Sequence, residues 1–330
     1  MRNLTPYLAA AQHVGGQAVM EGVMMRRGDR LAIAVRKPDG SILVEERPWF
    51  SLVRAEWAKR PFVRGFPVLV ETMVNGIKAL NFSAQQAIEG EGEEELSPLA
   101  LAGTVALAFG LALALFVVLP HVVTLGLQWL GLSGGVESLA FHAWDGLFKL
   151  LIFVLYIYGI SFVPDIKRVF QYHGAEHKTI WAFEQGLPLD CSSARGASRL
   201  HPRCGTTFML FVLSLSIVLY AVLVPALLLI WTPEGSVLKQ TYIILLKLVL
   251  MVPVSCLAYE MIRVAGKYPH LSVCRWLSVP GMLMQRLTTY EPDDSQIEVA
   301  IAALNGALGN ARGETEIGID PDAAACPAKD

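Results

Sequence analysis

Residues 98–120 read PLALAGTVALAFGLALALFVVLP, a stretch without a single charged side chain. A helix needs about 20 apolar residues to cross the hydrocarbon core of a membrane, so this stretch is long enough to span it. The apolar pattern continues to residue 130, which predicts an extended or kinked helix. Three further stretches are of similar character, at residues 146–163, 207–231 and 241–259. The sequence therefore predicts a mainly α, polytopic membrane protein with about four transmembrane helices.

The overall composition favours the same class. Of the 330 residues, 54% are hydrophobic and only 17% are charged, whereas soluble domains have about 25% charged residues. The formal net charge of −2 argues against a nucleic-acid-binding protein, which would carry a strongly basic surface. We therefore expect membrane lipid, and no nucleic acid, among the partners of this chain.

Basic residues are distributed unevenly among the segments that connect the predicted spans. Twelve Lys or Arg precede the first span and six lie in residues 164–206, whereas residues 131–145 contain none and residues 232–240 contain one. Positively charged loops stay on the cytoplasmic side of a membrane. The pattern therefore predicts a multi-pass protein of the cytoplasmic (inner) membrane with both termini and the loop 164–206 in the cytoplasm.

Four polar residues of the spans lie towards the predicted outer side. Lys149 and Lys247 are expected to extend their ammonium groups to the lipid headgroups, although a functional charge inside the membrane is the alternative. His121 and His142 are interpreted as structural.

The parts outside the membrane are predicted as separate units. Residues 1–60 form a small β-hairpin unit around Pro38-Asp39-Gly40, and residues 61–97 form an amphipathic helix with an acidic linker. Residues 98–259 form the membrane region, residues 260–309 a C-terminal helical segment and residues 310–330 a disordered tail. Ser295 and Glu298 match a capping box, and the pair Gly15-Gly16 is interpreted as a turn that leads into the sheet.

The candidate chemistry lies in the middle cytoplasmic loop. Residues 164–185 are predicted to form a helix that carries the sequence HGAEH. His173 and His177 project from one face, where they can share a metal, and H-x-x-E-H is the order in which two histidines bind zinc and the acid acts as base. The spacing predicts His173 and His177 as ligands of a divalent metal such as zinc, and Glu176 as the catalytic base. Gly174 is costly in a helix, which a close approach of backbone or ligand would explain.

A second group follows directly in residues 199–205, which read RLHPRCG. His201 and Cys204 have the spacing of a metal-binding knuckle, and arginines together with a helix N-terminus should lower the pKa of the thiol. In a closed site, all four His and Cys residues bind a structural metal. In an open site, two or three of them bind a metal together with water, and Glu176 accepts the proton. An acidic ligand from elsewhere, Glu71 or Glu260, is a further option.

These motifs resemble those of the YqhQ family, bacterial membrane proteins of unknown function. The resemblance covers residues 15–304, and its matching stretches are GGQAVMEGVMMR (15–26), AVRKPDG (34–40), ALNFSA (79–84), VFQYHGAEHKTI (169–180), RLHPRCGT (199–206) and EPDDSQIEVAI (291–301). The family has been described as predicted metal-dependent enzymes. The resemblance therefore implies a metal-dependent activity without identifying a substrate.

Two functions from different classes follow from these observations. The first is a metal-dependent hydrolase at the cytoplasmic membrane surface, acting on lipid-linked substrates or membrane-proximal peptides. The second is a non-catalytic membrane scaffold or assembly factor, held together by a structural metal or a polar cluster. A transporter is disfavoured because no broken inverted repeat is visible in the spans.

Overall fold

The structure is a computed structural model that describes residues 14–53, 55–88, 98–268, 271–309 and 315–317. Four strands form an antiparallel meander: β1 (Val14–Val19), β2 (Gly22–Arg27), β3 (Arg30–Arg36) and β4 (Ile42–Pro48). The turn between β3 and β4 contains Gly40 with φ +88°, where the sequence predicts a hairpin. A fifth strand, β5 (Thr315–Ile317), pairs with β4, so three residues of the predicted disordered tail are ordered. The acidic linker and the rest of that tail lie outside the described residues.

The helices follow the sheet in sequence. They are α1 (Gly65–Ile88), α2 (Pro98–Leu113), α3 (Leu119–Trp129), α4 (Leu139–Ile160), α5 (Pro164–Glu184), α6 (Cys191–Gly196), α7 (Gly205–Ile230), α8 (Ser236–Lys267), α9 (Ser272–Thr288) and α10 (Asp294–Leu308). A π-helical turn, Ala114–Val118, joins α2 to α3, so the first span continues past Pro120 as expected.

The helices of the membrane region match the predicted spans. In the described part of the chain, four helical segments are long and apolar enough to cross a membrane: Ala102–Trp129, Leu139–Ile160, Gly205–Ile230 and Ser236–Ala265. The predicted fold class, mainly helical with four candidate spans and a small N-terminal sheet, is confirmed. Helix α8 extends beyond the predicted limits at both ends because polar residues continue the helix outside its apolar stretch.

Both faces of the sheet are buried, and one of them packs against the middle loop. Leu31 and Ile33 of β3 belong to a core with Ala79 of α1. Alternate residues of a strand point to opposite faces, so Ala32 and Ala34 belong to a second core, which also contains residues of α5 and α10. The N-terminal sheet, the middle loop and the C-terminal helix therefore form one packed unit on one side of the spans.

The start of α10 differs from the sequence prediction. Asp293 is the N-cap, its carboxylate accepts a hydrogen bond from Gln296 N, and the Gln296 side chain accepts one from Asp293 N. The capping box predicted at Ser295 and Glu298 is therefore wrong. The Ser295 hydroxyl instead donates to Asp293, and Glu298 forms an ion pair with Arg36.

The two lysines inside the spans also differ from the prediction. Lys149 and Lys247 do not extend to the surface, since their side chains are 7% and 1% exposed. Both ammonium groups face the buried carboxylate of Asp145, because an ion pair inside the helix bundle is available to them. The prediction that they reach the lipid headgroups is wrong.

Candidate functional site

Helix α5 presents three of the predicted site residues together. The imidazole rings of His173 and His177 lie one helical turn apart, with their centroids separated by 4.4 Å. The Glu176 side chain is buried on the same helix. At Gly174 the backbone carbonyl of Tyr290 occupies the position where a Cβ would stand. The close backbone approach proposed for Gly174 is therefore confirmed, and the segment leading into α10 holds α5 in place.

Cys204 joins the two histidines from the start of α7. It is the N-cap of that helix, where its sulfur accepts a hydrogen bond from Thr206 N. Its Sγ lies 3.1 Å from Nε2 of His173. One ligand atom from each of His173, His177 and Cys204 lies within 4.8 Å of the other two, the one such group found among the described residues. The structure thus brings together three of the four residues predicted as ligands.

The second nitrogen of each imidazole is fixed by a backbone carbonyl. His173 Nδ1 lies 2.9 Å from the oxygen of Thr288, and His177 Nδ1 lies 2.6 Å from the oxygen of Arg199. A carbonyl can only accept, so Nδ1 carries the proton in both rings and Nε2 keeps its lone pair. Nε2 of His177 is buried and makes no hydrogen bond within the described residues. Histidines that bind a metal have this arrangement of a free nitrogen and an oriented N–H.

The environment favours the protonation states that a metal requires. Burial lowers the pKa of His177, which keeps the imidazole neutral. Burial alone would raise the pKa of the Cys204 thiol, but interactions at the sulfur, among them the hydrogen bonds from Thr206, outweigh it, so that the pKa lies below its ordinary value. Neutral imidazoles and a thiolate are the forms in which these side chains bind a transition metal.

Glu176 is enclosed between the His–Cys cluster and strand β1. Burial is the main cause that raises the pKa of Glu176 to about 8. His173 lowers this pKa and Cys204 raises it. A Cβ at Gly16 would lie 2.8 Å from Oε1 of Glu176, so the strand can approach the carboxylate only because residue 16 is glycine. The other oxygen, Oε2, is buried and has no hydrogen-bond partner in the described part of the structure. Oε1 of the acid therefore packs against β1, while Oε2 is left without a described hydrogen-bond partner.

His201 lies beside the cluster but outside it. Its ring centroid is 5.8 Å from that of His177, yet its nitrogens are turned elsewhere. Nε2 lies 3.4 Å from a carboxylate oxygen of Glu184, and Nδ1 accepts a hydrogen bond from Arg203 N. Burial lowers the pKa of His201 to about 4. The four-ligand arrangement with His201 is therefore not formed in this structure, because Glu184 and the turn itself hold the ring away.

The sequence analysis missed two residues of α9 that hold the His–Cys cluster in place. The buried amide of Gln285 on α9 bonds to both the N–H and the carbonyl of His201, and also to Thr207. It thereby fixes the turn that carries Cys204. No spacing rule connects Gln285 with the HGAEH sequence, and its burial at 0% exposure becomes visible only in the fold. Its neighbour Thr288, one turn later, supplies the carbonyl that orients His173.

The two alternative acidic ligands lie in other parts of the protein. Glu71 accepts hydrogen bonds from the segment between β4 and α1, including the backbone N–H groups of Leu52 and Val53. Glu260 forms an ion pair with Arg64. Both carboxylates are satisfied there, so neither joins the His–Cys cluster.

An apolar cavity of about 600 Å³ adjoins the same end of α7. Its walls come from α7, α8 and α9, and include Leu210, Phe211, Met261, Trp276 and Pro280. Leu210 lies six residues along α7 from Cys204, about 9 Å at the rise of an α-helix. The cavity therefore begins close to the cluster and runs along a candidate membrane span.

Comparison with known proteins yields a family without an assigned activity. Residues 60–310 match the sequence model of a family described as "Protein of unknown function (DUF1385)". The chain is 36% identical over 308 residues to the "Uncharacterized protein YqhQ" of Bacillus subtilis (strain 168), which covers 89% of this chain and 92% of that protein. No solved structure gives a significant match.

Proposed function

The chain belongs to the YqhQ (DUF1385) family, and we propose that it is a metal-dependent hydrolase whose site lies at the cytoplasmic surface of the membrane. One observation carries the proposal. The half-buried His173 and the buried His177 direct Nε2 atoms towards the sulfur of Cys204, and two buried atoms of the site, Nε2 of His177 and Oε2 of Glu176, have no hydrogen-bond partner among the described residues. A polar packing cluster would satisfy these buried atoms, whereas a metal site leaves them for the ion.

The donor set is suited to zinc. Typical Zn–N and Zn–S distances of about 2.1 and 2.3 Å place tetrahedral ligand atoms roughly 3.6 Å apart, which is compatible with three ligand atoms within 4.8 Å of one another. Three protein ligands with a fourth position open is the composition of catalytic rather than structural zinc sites. Such a cation, when bound, would act as a Lewis acid towards a carbonyl or phosphoryl oxygen.

Glu176 has the position of a general base. Its Oε1 lies close to β1 at Gly16, and Oε2 has no partner among the described residues. With a pKa of about 8 the carboxyl is ionised only in part at about pH 7, and in the ionised form Oε2 would accept a proton from an attacking water molecule. The protonated carboxyl then returns the proton to the leaving group, so the residue is regenerated in each turnover. The hydrogen bonds from His173 and His177 to backbone carbonyls keep both rings in orientation throughout.

The position of the site favours an amphiphilic substrate. Cys204 immediately precedes α7, a candidate membrane span, so the cluster would lie at the headgroup level. The apolar cavity next to it is within the usual 300–1,000 Å³ of ligand sites. We propose that it holds the hydrocarbon chain of a lipid-linked substrate while the polar group reaches the cluster.

The test begins with the metal content of detergent-purified protein. Wild type is expected to retain about one zinc or similar ion per chain, and the His173→Ala/His177→Ala variant is expected to retain none. His201→Ala is the matched control and should keep the ion, because its ring is held by Glu184 outside the cluster. A folded wild-type protein without metal after metal-replete purification would overturn the proposal.

Catalysis is tested separately with Glu176→Gln. This variant should keep the ion but lose hydrolysis of acyl and phosphate ester reporters in mixed micelles by about 10²–10⁴-fold, the usual contribution of a general base. Glu56→Gln, which alters an exposed acid away from the site, is the control. Unchanged turnover in Glu176→Gln would exclude the role of Glu176.

A non-catalytic scaffold with a structural metal is the second candidate. The degree of enclosure favours it, since the exposed fraction of His177 is 1% and that of Cys204 is 9%. In that case removal of the metal would lower the unfolding temperature of wild type and of Glu176→Gln equally, and Glu176→Gln would behave like wild type in all assays.

A further inference from the structure

A second cluster of charged groups lies inside the helix bundle, at the end opposite the His–Cys site. Asp145 of α4 meets Lys247 of α8, with Oδ1 of the carboxylate 2.8 Å from Nζ. Lys149, one turn after Asp145, places its Nζ 3.7 Å from Oδ2. All three side chains are 7% exposed or less. Charged side chains buried in membrane spans are expensive and commonly mark a functional site.

His121 of α3 extends the cluster without adding a charge. Its Nε2 lies 2.9 Å from Oε1 of Gln240, so this nitrogen donates and carries the proton. Its Nδ1 therefore accepts, and lies 3.3 Å from Nζ of Lys247. Lys247 is thus paired with one carboxylate and one neutral imidazole.

The charges in the cluster do not balance. Asp145 supplies one negative charge and the two lysines supply two positive charges. Lys149 has few partners among the described residues: its contact with Asp145 is longer than a hydrogen bond, and its other neighbour is the ring of Tyr220 at 4.9 Å. A buried ammonium with a surplus charge and unused N–H donors is unfavourable unless something compensates it.

An unsatisfied imidazole lies on the same helix face. His142 precedes Asp145 by three residues and Lys149 by seven, spacings that place all three side chains on one side of α4. The ring is 1% exposed. Neither ring nitrogen forms a hydrogen bond of standard geometry with any residue in the described ranges. A neutral imidazole has one N–H to donate, so His142 offers a further donor on the face of α4 that carries Asp145 and Lys149.

We propose that this cluster binds a small monovalent anion, a halide or a short carboxylate, at Lys149, on the face of α4 that also carries His142. One negative charge would neutralise the single surplus positive charge. The ammonium of Lys149 and the imidazole N–H of His142 would supply the hydrogen bonds that an anion requires. The proposal is independent of the metal site.

The test measures the unfolding temperature of the full-length protein in detergent. Chloride or formate is titrated against gluconate, an anion too large for the cluster, at constant ionic strength. Wild type is expected to show a saturable rise in unfolding temperature with chloride and formate, because a ligand that binds only the folded state stabilises it. Lys149→Met should lose the rise. Lys239→Met, which removes a half-buried lysine paired with Glu137, should keep it.

A second measurement does not depend on the folding of a variant. Wild-type protein should broaden the ³⁵Cl resonance of chloride in solution, and formate should reverse the broadening by competition. Equal unfolding temperatures in chloride, formate and gluconate, or broadening that formate leaves unchanged, would overturn the proposal. A chloride effect that persists in folded Lys149→Met would equally exclude the assignment to this cluster.

Discussion

At the scale of single residues, the pair Gly15-Gly16 offers a sharp comparison. A Cβ at Gly16 would lie 2.8 Å from both Glu176 Oε1 and the carbonyl oxygen of Met24, whereas a Cβ at Gly15 would meet no described atom within 4 Å. Gly16→Ala is therefore expected to destabilise the fold by about 1–3 kcal/mol through overpacking. Gly15→Ala should be neutral or slightly stabilising, because alanine restricts the unfolded chain.

The measurement for this pair is the unfolding midpoint of both variants in the same detergent. Gly16→Ala should also displace the Glu176 carboxylate. Its hydrolytic activity should therefore fall by more than the loss of folded protein accounts for. Equal midpoints for the two variants would contradict the contact between β1 and Glu176.

The same residues indicate how far sequence reasoning reaches. The spacing of His173 and His177 within one helix was enough to predict that they face the same way, because helical periodicity acts over four residues. The role of Gly16 could not be predicted, since 160 positions separate it from Glu176 and only the packing of β1 on α5 joins them. His201 met the spacing rule as well, but the carboxylate of Glu184 holds it away from the cluster.

At the scale of elements, Glu71 fastens the segment after β4 to helix α1. Its carboxylate accepts hydrogen bonds from Trp49 Nε1, Ser51 Oγ and the N–H groups of Leu52 and Val53. Burial alone would raise the pKa of Glu71, but these donors lower it by more, so it lies below the ordinary 4.5. The carboxylate therefore stabilises the fold above about pH 4.5, and this stabilisation is lost as the pH falls below that value.

Glu71→Gln tests this attachment. The variant is expected to lose about 1–3 kcal/mol of unfolding free energy at about pH 7, because a buried donor loses its acceptor. The difference from wild type should shrink as the pH falls below 4.5 and the carboxylate of the wild type becomes protonated. Glu56→Gln, which alters an exposed acid, should show no such difference. If the difference in unfolding free energy between Glu71→Gln and wild type stays constant with pH, the hydrogen-bonded carboxylate is not its source.

Elements also differ in how well the sequence predicts them. The spans were predictable because hydropathy is a property of a local window. Strand β5 and the contact of α10 with the sheet were not, since each depends on a partner more than 250 residues away. The ion cluster at Asp145 was misread for the same reason: each lysine alone resembles a snorkelling residue, and only helix packing places both beside one carboxylate.

At the scale of the whole molecule, one shared core restricts the topology. Val23 and Ala32 of the sheet, Ala175 of α5, and Val299 and Ala303 of α10 all belong to it. Three segments separated by candidate membrane spans can share a core only if they lie on the same side of the membrane that these helices would cross. Two candidate spans separate the sheet from the middle loop, and two more separate the middle loop from α10, so the chain returns to the same side each time. The basic residues of these segments favour the cytoplasmic side.

Cysteine labelling tests this arrangement in oriented vesicles. Asp29→Cys in the sheet turn and Ser192→Cys in α6 are expected to react with a membrane-impermeant maleimide only in inside-out vesicles, since both positions are exposed on the shared unit. Leu132→Cys, in the loop between α3 and α4 and 63% exposed, should react only in right-side-out vesicles. The unsubstituted protein gives the background from the native thiols. Labelling of residues 29 and 192 from opposite sides would be incompatible with the packed unit, whereas joint labelling from the outside would retain the fold and reverse its orientation in the membrane.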